Sequence, residues 1–397
     1  MTLPFHSFRL FPAACLLLAL APLAALGQSP KPLVPAAPSS ALSSASPSEM
    51  PSPTDQPPPE VALPNPIPLG RSLFVSGALD ARTRTADTGR RNGVWINTAE
   101  LDFKHPITQK GQARGNLYLQ VIAEDPPDIP HGKDIQIGEA YVLYKLGVQS
   151  DTNTSAYVKF GQFQLPFGLL AVYDPHLLIL QPLYAQSLGL RTDFGAALSG
   201  QLYGYLNYDL SVTTGTGPNH IDLNPSRVFN FRLGRTFTTR NGVVNVGGSL
   251  LQGRLPVTDL TADNPFAVEL PPSGRIRANR EERFVSKSRI AGDASYGFQR
   301  TTARGELVVG ADNDQRVLGY YGEGDYRFTG RISAAISRSL FVYPLGNSSA
   351  SRESLGLTYA SSANLTFRGL YQYLRDVPRD LPGQTRHRLT FQVLLRF

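Results

Sequence analysis

The chain ends on an alternating segment, residues 386–397, which reads RHRLTFQVLLRF. Every second position is apolar: Leu389, Phe391, Val393, Leu395 and Phe397. A period of two is that of a β-strand with one apolar face and one polar face. Such a strand fits a soluble β-sandwich as well as the wall of a membrane barrel. The choice depends on whether the rest of the chain repeats the pattern.

The same period recurs from about Arg71 onward, where Gly, Tyr, Phe, Leu, Arg and Thr dominate and no helical periodicity persists over a long window. We predict sixteen strands on this pattern. They lie near residues 73–82, 92–104, 113–124, 135–147, 155–163, 190–201, 204–214, 227–238, 241–253, 284–296, 300–310, 316–328, 331–342, 352–361, 363–375 and 386–397.

The lengths of the connections supply an independent argument. Connections after odd-numbered strands are mostly long, as at 164–189 and 254–283, whereas those after even-numbered strands are mostly short, as at 202–203 and 239–240. This sorting is typical of a transmembrane barrel with both termini on the periplasmic side. The mean hydropathy of −0.17 agrees, because each strand presents only one apolar face to lipid. We therefore predict an all-β fold, a transmembrane antiparallel up-and-down β-barrel of sixteen strands in the bacterial outer membrane.

Aromatic residues occur where such a barrel needs them. Five tyrosines lie toward strand ends on the apolar face, where they predict an interfacial girdle: Tyr144, Tyr208, Tyr326, Tyr371 and Tyr373. The closing strand ends on Phe397, which resembles the terminal aromatic sorting signal of outer-membrane barrels. We expect Phe397 to serve in closure of the barrel and in its recognition by the barrel-assembly machinery.

The first 70 residues differ from the barrel, residues 71–397, in composition. Residues 1–27 indicate a secretory signal peptide, whose apolar run is too short to span a membrane. Residues 28–70 are rich in Pro, Ala and Ser and predict a disordered leader; a tether that binds peptidoglycan or a partner is the alternative. The single cysteine, Cys15, lies in the signal peptide, so we expect neither disulfides nor thiolate chemistry in the mature chain. A lipoprotein box at Cys15 is disfavoured because most of the apolar run follows it.

Several motifs within residues 135–215 carry a family resemblance. They are AYVLY at 140–144, VKFGQF at 158–163, PFG at 166–168, Arg191 followed by FGAALSG at 194–200, and YLNY at 205–208. Together they resemble the phosphate-selective porin O/P superfamily, which includes dicarboxylate-type anion porins. The resemblance implies a homotrimer of sixteen-stranded barrels whose third long loop folds inward. Two features depart from the family: a Pro-rich leader stands where members often have a coiled coil, and their phosphate-coordinating arginines and lysines do not align.

The third long connection, 164–189, is the strongest functional candidate on physical grounds. It is too long for a hairpin and contains the apolar runs Leu169–Val172 and Leu177–Leu180. An apolar loop must bury itself, and the interior of a wide barrel is the nearest place. We expect this loop to fold inward and narrow the pore. Packing on the outer wall or at a trimer contact is the alternative.

Basic residues on the polar faces predict the character of the pore. The candidates are Arg114, Lys145, Lys159, Arg191, Arg232, Lys287, Arg289, Arg304, Arg327, Arg368 and Arg388. Acidic residues share these faces: Asp80, Glu100, Asp102, Glu124, Glu139, Asp209, Glu306, Glu323 and Asp325. The net charge is +7, and the first 70 residues hold two basic and three acidic residues, so the barrel carries +8. A basic lumen admits anions preferentially. For most single positions a cross-strand ion pair is the simpler interpretation, so selectivity rests on the surplus.

These observations predict a passive porin for small anionic solutes, phosphate- or carboxylate-like, and not an enzyme. The histidines lie in connections or at strand ends, and neither a catalytic motif nor metal-ligand spacing is found, so we expect no cofactor and no metal. Outer-membrane lipid is the expected environment, and nucleic acid is not an expected partner. A barrel that anchors a surface or cell-wall interaction is the alternative function. An outer-membrane hydrolase is a third.

Overall fold

The computed structural model describes residues 65–397 with gaps at 71, 87–92, 125–133, 150–152, 220–226, 240–241, 257–283, 314, 343–348 and 378–383. Between Leu165 and Arg191 it describes all residues except 173, 175, 178, 180–181, 183–187 and 189. The predicted signal peptide and residues 28–64 of the predicted leader lie outside the described residues.

The described chain is built from β-strands. They are β1 (Ile67–Leu69), β2 (Leu73–Ala86), β3 (Gly93–Gln109), β4 (Gln112–Glu124), β5 (Asp134–Gln149), β6 (Thr154–Gln164), β7 (Thr192–Leu202), β8 (Leu206–Thr213), β9 (Val228–Thr239), β10 (Gly242–Pro256), β11 (Phe284–Phe298), β12 (Thr301–Asp312), β13 (Gln315–Arg327), β14 (Ile332–Val342), β15 (Ser349–Ala360), β16 (Leu365–Val377) and β17 (Gln384–Arg396). A 3₁₀ helix at Gly168–Val172 follows β6. No helix in the part of the chain described is long and apolar enough to cross a membrane.

Strands β2 to β17 form a closed antiparallel barrel. Each pairs with its neighbours in the chain, and β17 pairs with β2 from Arg388 opposite Ala86 to Arg396 opposite Ala78. The predicted sixteen-stranded up-and-down barrel is thus confirmed. The largest difference from the predicted strands is in β3, which reaches Gln109 instead of ending near residue 104. The prediction stopped before Pro106, but the ladder continues through it, with Pro106 opposite Asn116.

The extra strand β1 lies at the seam of the barrel, ahead of the predicted start at residue 71. It pairs with residues 73–75 of β2, on the same edge of β2 that pairs with β17 from residue 78 onward. There the last residue, Phe397, exchanges two backbone hydrogen bonds with Gly77, of 2.9 and 3.0 Å. A Cβ on Gly77 would come within 2.7 Å of the Phe397 ring. The absence of a side chain at Gly77 therefore makes room for the terminal aromatic ring.

The two faces of the strands differ as the alternation predicts. On β17, Phe391 and Val393 are exposed on the outer wall, whereas Thr390 and Gln392 are buried toward the lumen. An outer wall covered mainly by such apolar side chains suits lipid, so the bacterial outer-membrane location is confirmed. Of the five predicted girdle tyrosines, Tyr144, Tyr326 and Tyr371 are exposed, and Tyr208 and Tyr373 are half-buried.

Connection lengths also follow the predicted sorting. The turns after β3, β5, β7, β9, β11, β13 and β15 contain four residues or fewer, and they share one rim with the start of β2 and the end of β17. Left-handed residues such as Lys110, Gly111, Tyr203 and Gly204 allow these tight reversals. The connections on the other rim are longer, except the tight turn at Asn313 between β12 and β13. The long-loop rim is therefore the extracellular one.

Candidate pore constriction

The segment between β6 and β7, residues 165–191 and here called the inner loop, folds into the barrel. Its base is closed where the Leu165 amide donates to the Arg191 carbonyl at 2.9 Å. Just beyond, the Gly168 amide donates to Ser249 Oγ of β10 at 3.0 Å, and the Leu169 amide donates to Glu306 Oε1 of β12 at 3.1 Å. These acceptors lie on the inner wall, so the predicted inward course of the loop is confirmed.

Gly168 suits this bend. Its φ is +51°, a left-handed conformation that favours glycine. A Cβ there would clash with Glu306 Oε1, so a larger residue would displace the carboxylate that accepts from Leu169. Glu306, which the sequence suggested only as a lumen charge, instead holds the loop against the wall.

The apolar side of the inner loop packs against one half of the inner wall. Leu165, Phe167, Leu170, Leu188 and Leu190 are almost completely buried. They form one cluster with inward side chains of β9 to β15, namely Val228, Leu251, Leu255, Ala291, Val308, Val317, Tyr321, Phe341 and Ala350. At about 1.5–3 kcal/mol for each large side chain, this burial contributes on the order of 10 kcal/mol as an upper estimate. The apolar runs that identified the loop in the sequence thus explain its position.

The far end of the inner loop is fastened to the opposite wall. His176 lies between two carboxylates, with Nδ1 3.4 Å from Asp80 Oδ2 on β2 and Nε2 3.3 Å from Glu100 Oε2 on β3. Its carbonyl accepts hydrogen bonds from Arg368 at 2.7 Å and from Gln392 at 3.1 Å. Because β2 is eight strands from β10 in a ring of sixteen, the loop spans the lumen.

The fastening is ionic as well as hydrogen-bonded. Burial alone would lower the pKa of His176, but its hydrogen bonds to Asp80 and Glu100 raise that pKa to about 9. Two residues earlier, Asp174 pairs with Arg396 at 3.0 Å. Burial favours the neutral form of Asp174, yet the charges of His176 and Arg396 prevail and lower its pKa. We call Asp174 and His176 the latch of the inner loop.

Three of the predicted pore-lining residues are held in ion pairs within the wall. Arg232 of β9 contacts Asp293 of β11 at 2.6 and 2.8 Å by reaching over β10 at Gly247, where a Cβ would clash with both side chains. Arg289 pairs with Asp312, and Arg304 pairs with Glu323 at 3.2 Å.

Two other predicted residues hold the inner loop. Lys287 is 1% exposed, and its Nζ donates to the Leu188 carbonyl at 3.3 Å. Arg368 donates to the His176 carbonyl and to Gln392. Both side chains point into the barrel, and each donates a hydrogen bond to a backbone carbonyl of the loop.

Four more of the predicted residues occupy different positions along the wall. Lys159 is half-buried, with Nζ 4.6 Å from the centre of the Tyr141 ring. Arg114 is the extra residue of a bulge on β4, a feature that re-aims side chains. Arg191 is buried at the base of the inner loop, and Arg327 ends β13 at the short-turn rim.

Sequence reasoning missed most of a basic surface on four consecutive strands. The arginine wall, as we name it, consists of inward residues of β15, β16, β17 and β2: Arg352, Arg368, Arg388, Arg82 and Arg84. Among described inward side chains of these strands, Asp80 is the acid, and it pairs with Arg82 at 2.6 Å. The sequence did contain the signal, because Asp80, Arg82 and Arg84 alternate with Ala81 and Thr83.

The chemistry of this site is that of a charged passage. Among the residues that the structure describes, no group of three His, Cys, Asp or Glu side chains is placed to hold a metal ion. The sequence predicts no role for His176, because the inner loop has no periodicity from which side-chain contacts could be inferred. The structure instead makes it the centre of the latch.

Comparisons with known proteins agree on the fold. No protein-family model matches the sequence, and no curated protein matches it. Among solved structures, the barrel is similar to an anion-selective porin from Comamonas acidovorans, with a TM-score of 0.61, 12% identity, and coverage of 82% of this chain and 99% of that chain. It is also similar to the outer membrane channel DcaP of Acinetobacter baumannii, with a TM-score of 0.56, 8% identity, and coverage of 84% of this chain and 100% of that chain. The trimer form of OmpT, an outer membrane protein of Vibrio cholerae, has a TM-score of 0.56 and 9% identity, with coverage of 82% of this chain and 99% of that chain. The chain thus has the fold of outer-membrane porins.

Proposed function

We propose that this barrel is a passive porin that admits small anionic solutes, phosphate- or carboxylate-like, across the outer membrane. The observation that carries the proposal is the arginine wall, which places five arginines on the lumen side of four consecutive strands. Positive charge along a narrow, low-dielectric passage raises the local concentration of anions. The fold similarity to an anion-selective porin supports the same assignment.

The inner loop supplies the narrowing that selectivity needs. It covers the inner wall of β9 to β15 with its apolar side and reaches β2 and β3 with its latch. Arg368 belongs to the arginine wall and also donates to the latch, so the basic surface adjoins the loop. Anions that pass the loop would therefore meet these charges at short range, where screening is weakest.

The assembly and family assignments belong to the same proposal. A homotrimer is supported by the trimer form of a protein with the same fold. Relationship to the phosphate-selective porin O/P superfamily rests on the motifs at 140–144, 158–163 and 194–200. The remaining predicted pore-lining residues, Lys159 in particular, would add to the positive potential. We propose no enzymatic step.

Zero-current potentials in planar bilayers test the proposal. The wild-type barrel should show a preference for chloride over potassium in a KCl gradient. The triple variant Arg84→Gln, Arg352→Gln, Arg388→Gln removes three of the five arginines without touching the latch. Its potential should shift toward cation selectivity, more strongly below about 0.1 M salt, where the Debye length reaches about 10 Å.

A matched control removes three exposed arginines elsewhere. Arg235 and Arg316 lie on outer faces of β9 and β13, and Arg300 lies in a turn of the short-turn rim. Their combined change to Gln should leave the potential at the wild-type value. A wild-type potential in the arginine-wall variant would refute the assignment of selectivity, and an absence of current from the folded wild-type barrel would refute the porin.

A further inference from the structure

The outer wall carries a polar patch where apolar residues are expected. Strands β14 to β17 present six outward residues that we call the outer polar patch: Arg338, Glu353, Tyr371, Tyr373, Arg375 and His387. Four of them are cross-strand neighbours in one row, since Arg338 lies opposite Glu353, Glu353 opposite Tyr373, and Tyr373 opposite His387. The patch is therefore a continuous surface.

Side-chain contacts organise the patch without covering it. Arg338 Nε lies 3.6 Å from Glu353 Oε1, and these side chains remain 53% and 51% exposed. Tyr371 Oη lies 2.6 Å from His387 Nδ1, and the Tyr373 and His387 rings are 5.2 Å apart. Arg375 is exposed one step closer to the long loops. Two arginines against one glutamate leave the patch with a formal charge of +1 while His387 is neutral.

The surroundings show why this patch needs a partner. Toward the short-turn rim, the same wall exposes Ile336, Leu355, Leu357 and Phe391, which suit acyl chains. A charge on the lipid face costs about 2–4 kcal/mol at the bilayer midplane and about 0–1 near the interfaces. The patch lies near the ends of β14 to β17 that lead to the long loops, on the extracellular side. Its charges are therefore tolerable at the level of the outer-leaflet headgroups.

We propose that the outer polar patch binds the phosphate groups of an anionic glycolipid in the outer leaflet. Guanidinium groups bind phosphate in a bidentate geometry, and the two arginines present this chemistry on one surface. Glu353 orients Arg338 and prevents a larger charge surplus on the lipid face. Tyr371 and Tyr373 place hydroxyls where amphipathic rings meet headgroups. Charge complementarity thus favours an anionic lipid headgroup as the occupant of this positively charged patch.

Native mass spectrometry of the purified full-chain barrel with bis-phosphorylated lipid A tests the proposal. The double variant Arg338→Gln, Arg375→Gln should bind lipid A at least ten-fold more weakly than the wild type does. The matched control, Arg235→Gln with Arg300→Gln, removes two exposed arginines from the short-turn half of the barrel and should bind as the wild type does. Dephosphorylated lipid A should bind the wild type as weakly as lipid A binds the double variant.

Three results would overturn the proposal. The first is equal lipid A binding by the wild type and the double variant. The second is displacement of lipid A by millimolar inorganic phosphate, which would identify a free-phosphate site. The third is a change in oligomeric state with lipid binding intact, which would identify a contact between copies. Heat-modifiability verifies the fold, and the single variant Arg375→Gln provides the same comparison if the double variant does not assemble.

Discussion

Deprotonation of His176 should release the far end of the inner loop. The imidazolium lies between Asp80 and Glu100, whose carboxylates it contacts at 3.4 and 3.3 Å. Neutral imidazole keeps at most one donor, so one of the two carboxylates then loses its hydrogen bond from His176. The other charged groups around the latch are Asp174, Arg82, Arg368 and Arg396.

The size of the effect follows from the pKa of His176. Although burial opposes the charged form, the hydrogen bonds to Asp80 and Glu100 raise the pKa from 6.5 to about 9. At about 1.36 kcal/mol for each pKa unit, the latch gains roughly 3 kcal/mol from protonation. Because the pKa is raised in the folded loop, this contribution is complete below about pH 6.5 and disappears as the pH rises through about 9. The open population of the loop should increase by a factor of about 10²–10³ over that range.

Single-channel recordings between about pH 6 and pH 10 measure this release. Wild-type channels should show larger and more frequent conductance fluctuations as the pH passes about 9. The variant His176→Gln retains a polar side chain without the charge, so it should fluctuate at the alkaline level throughout. The control His105→Gln changes an exposed histidine of β3 and should follow the wild type.

The reasoning fails if His176→Gln reproduces the wild-type pH profile. It also fails if wild-type fluctuations stay constant across the alkaline range while the barrel remains folded. In either case the imidazolium would not hold the loop, and the apolar cluster alone would determine its position.

Two further predictions concern assembly and pore size. Phe397→Asp should reduce the yield of folded barrel, because the seam loses the aromatic ring that packs over Gly77, a contact worth about 1–2 kcal/mol. Phe397→Tyr keeps a ring and should assemble. Normal yields of heat-modifiable Phe397→Asp barrel would contradict this prediction. Replacing residues 173–187 by a short Gly-Ser linker should raise single-channel conductance while the retained Leu165–Leu170 segment stays packed on the wall. Unchanged conductance would mean that this segment does not narrow the pore.

The barrel was predictable because alternation encodes the side on which each residue lies. Successive side chains of a strand point to opposite faces, so Lys287 and Ser288 cannot both face the lumen. The same rule would have identified the outer charges, since Arg338 shares its parity with Ile336 and Leu340. The sequence therefore also contained the signal for the charges of the outer wall.

Pairing between side chains could not be predicted in this way. Arg232 contacts Asp293 on the strand after next, and the route passes over Gly247. Such a contact depends on strand register and on a missing side chain, neither of which a period of two reports. The contacts of His176 are still less accessible, because they join a non-periodic loop to strands from both ends of the chain.

Placement of the inner loop and the proposed anion selectivity depend on the same charged residues. Lys287 and Arg368 donate hydrogen bonds to backbone carbonyls of the loop, and Arg396 forms an ion pair with Asp174 of the latch. A count of inward basic residues therefore overestimates the potential that a passing anion would meet. The arginine wall lies next to the latch that Arg368 supports. Because one residue serves both purposes, a change at Arg368 should alter conductance and selectivity together, whereas changes at Arg84 or Arg352 should alter selectivity alone.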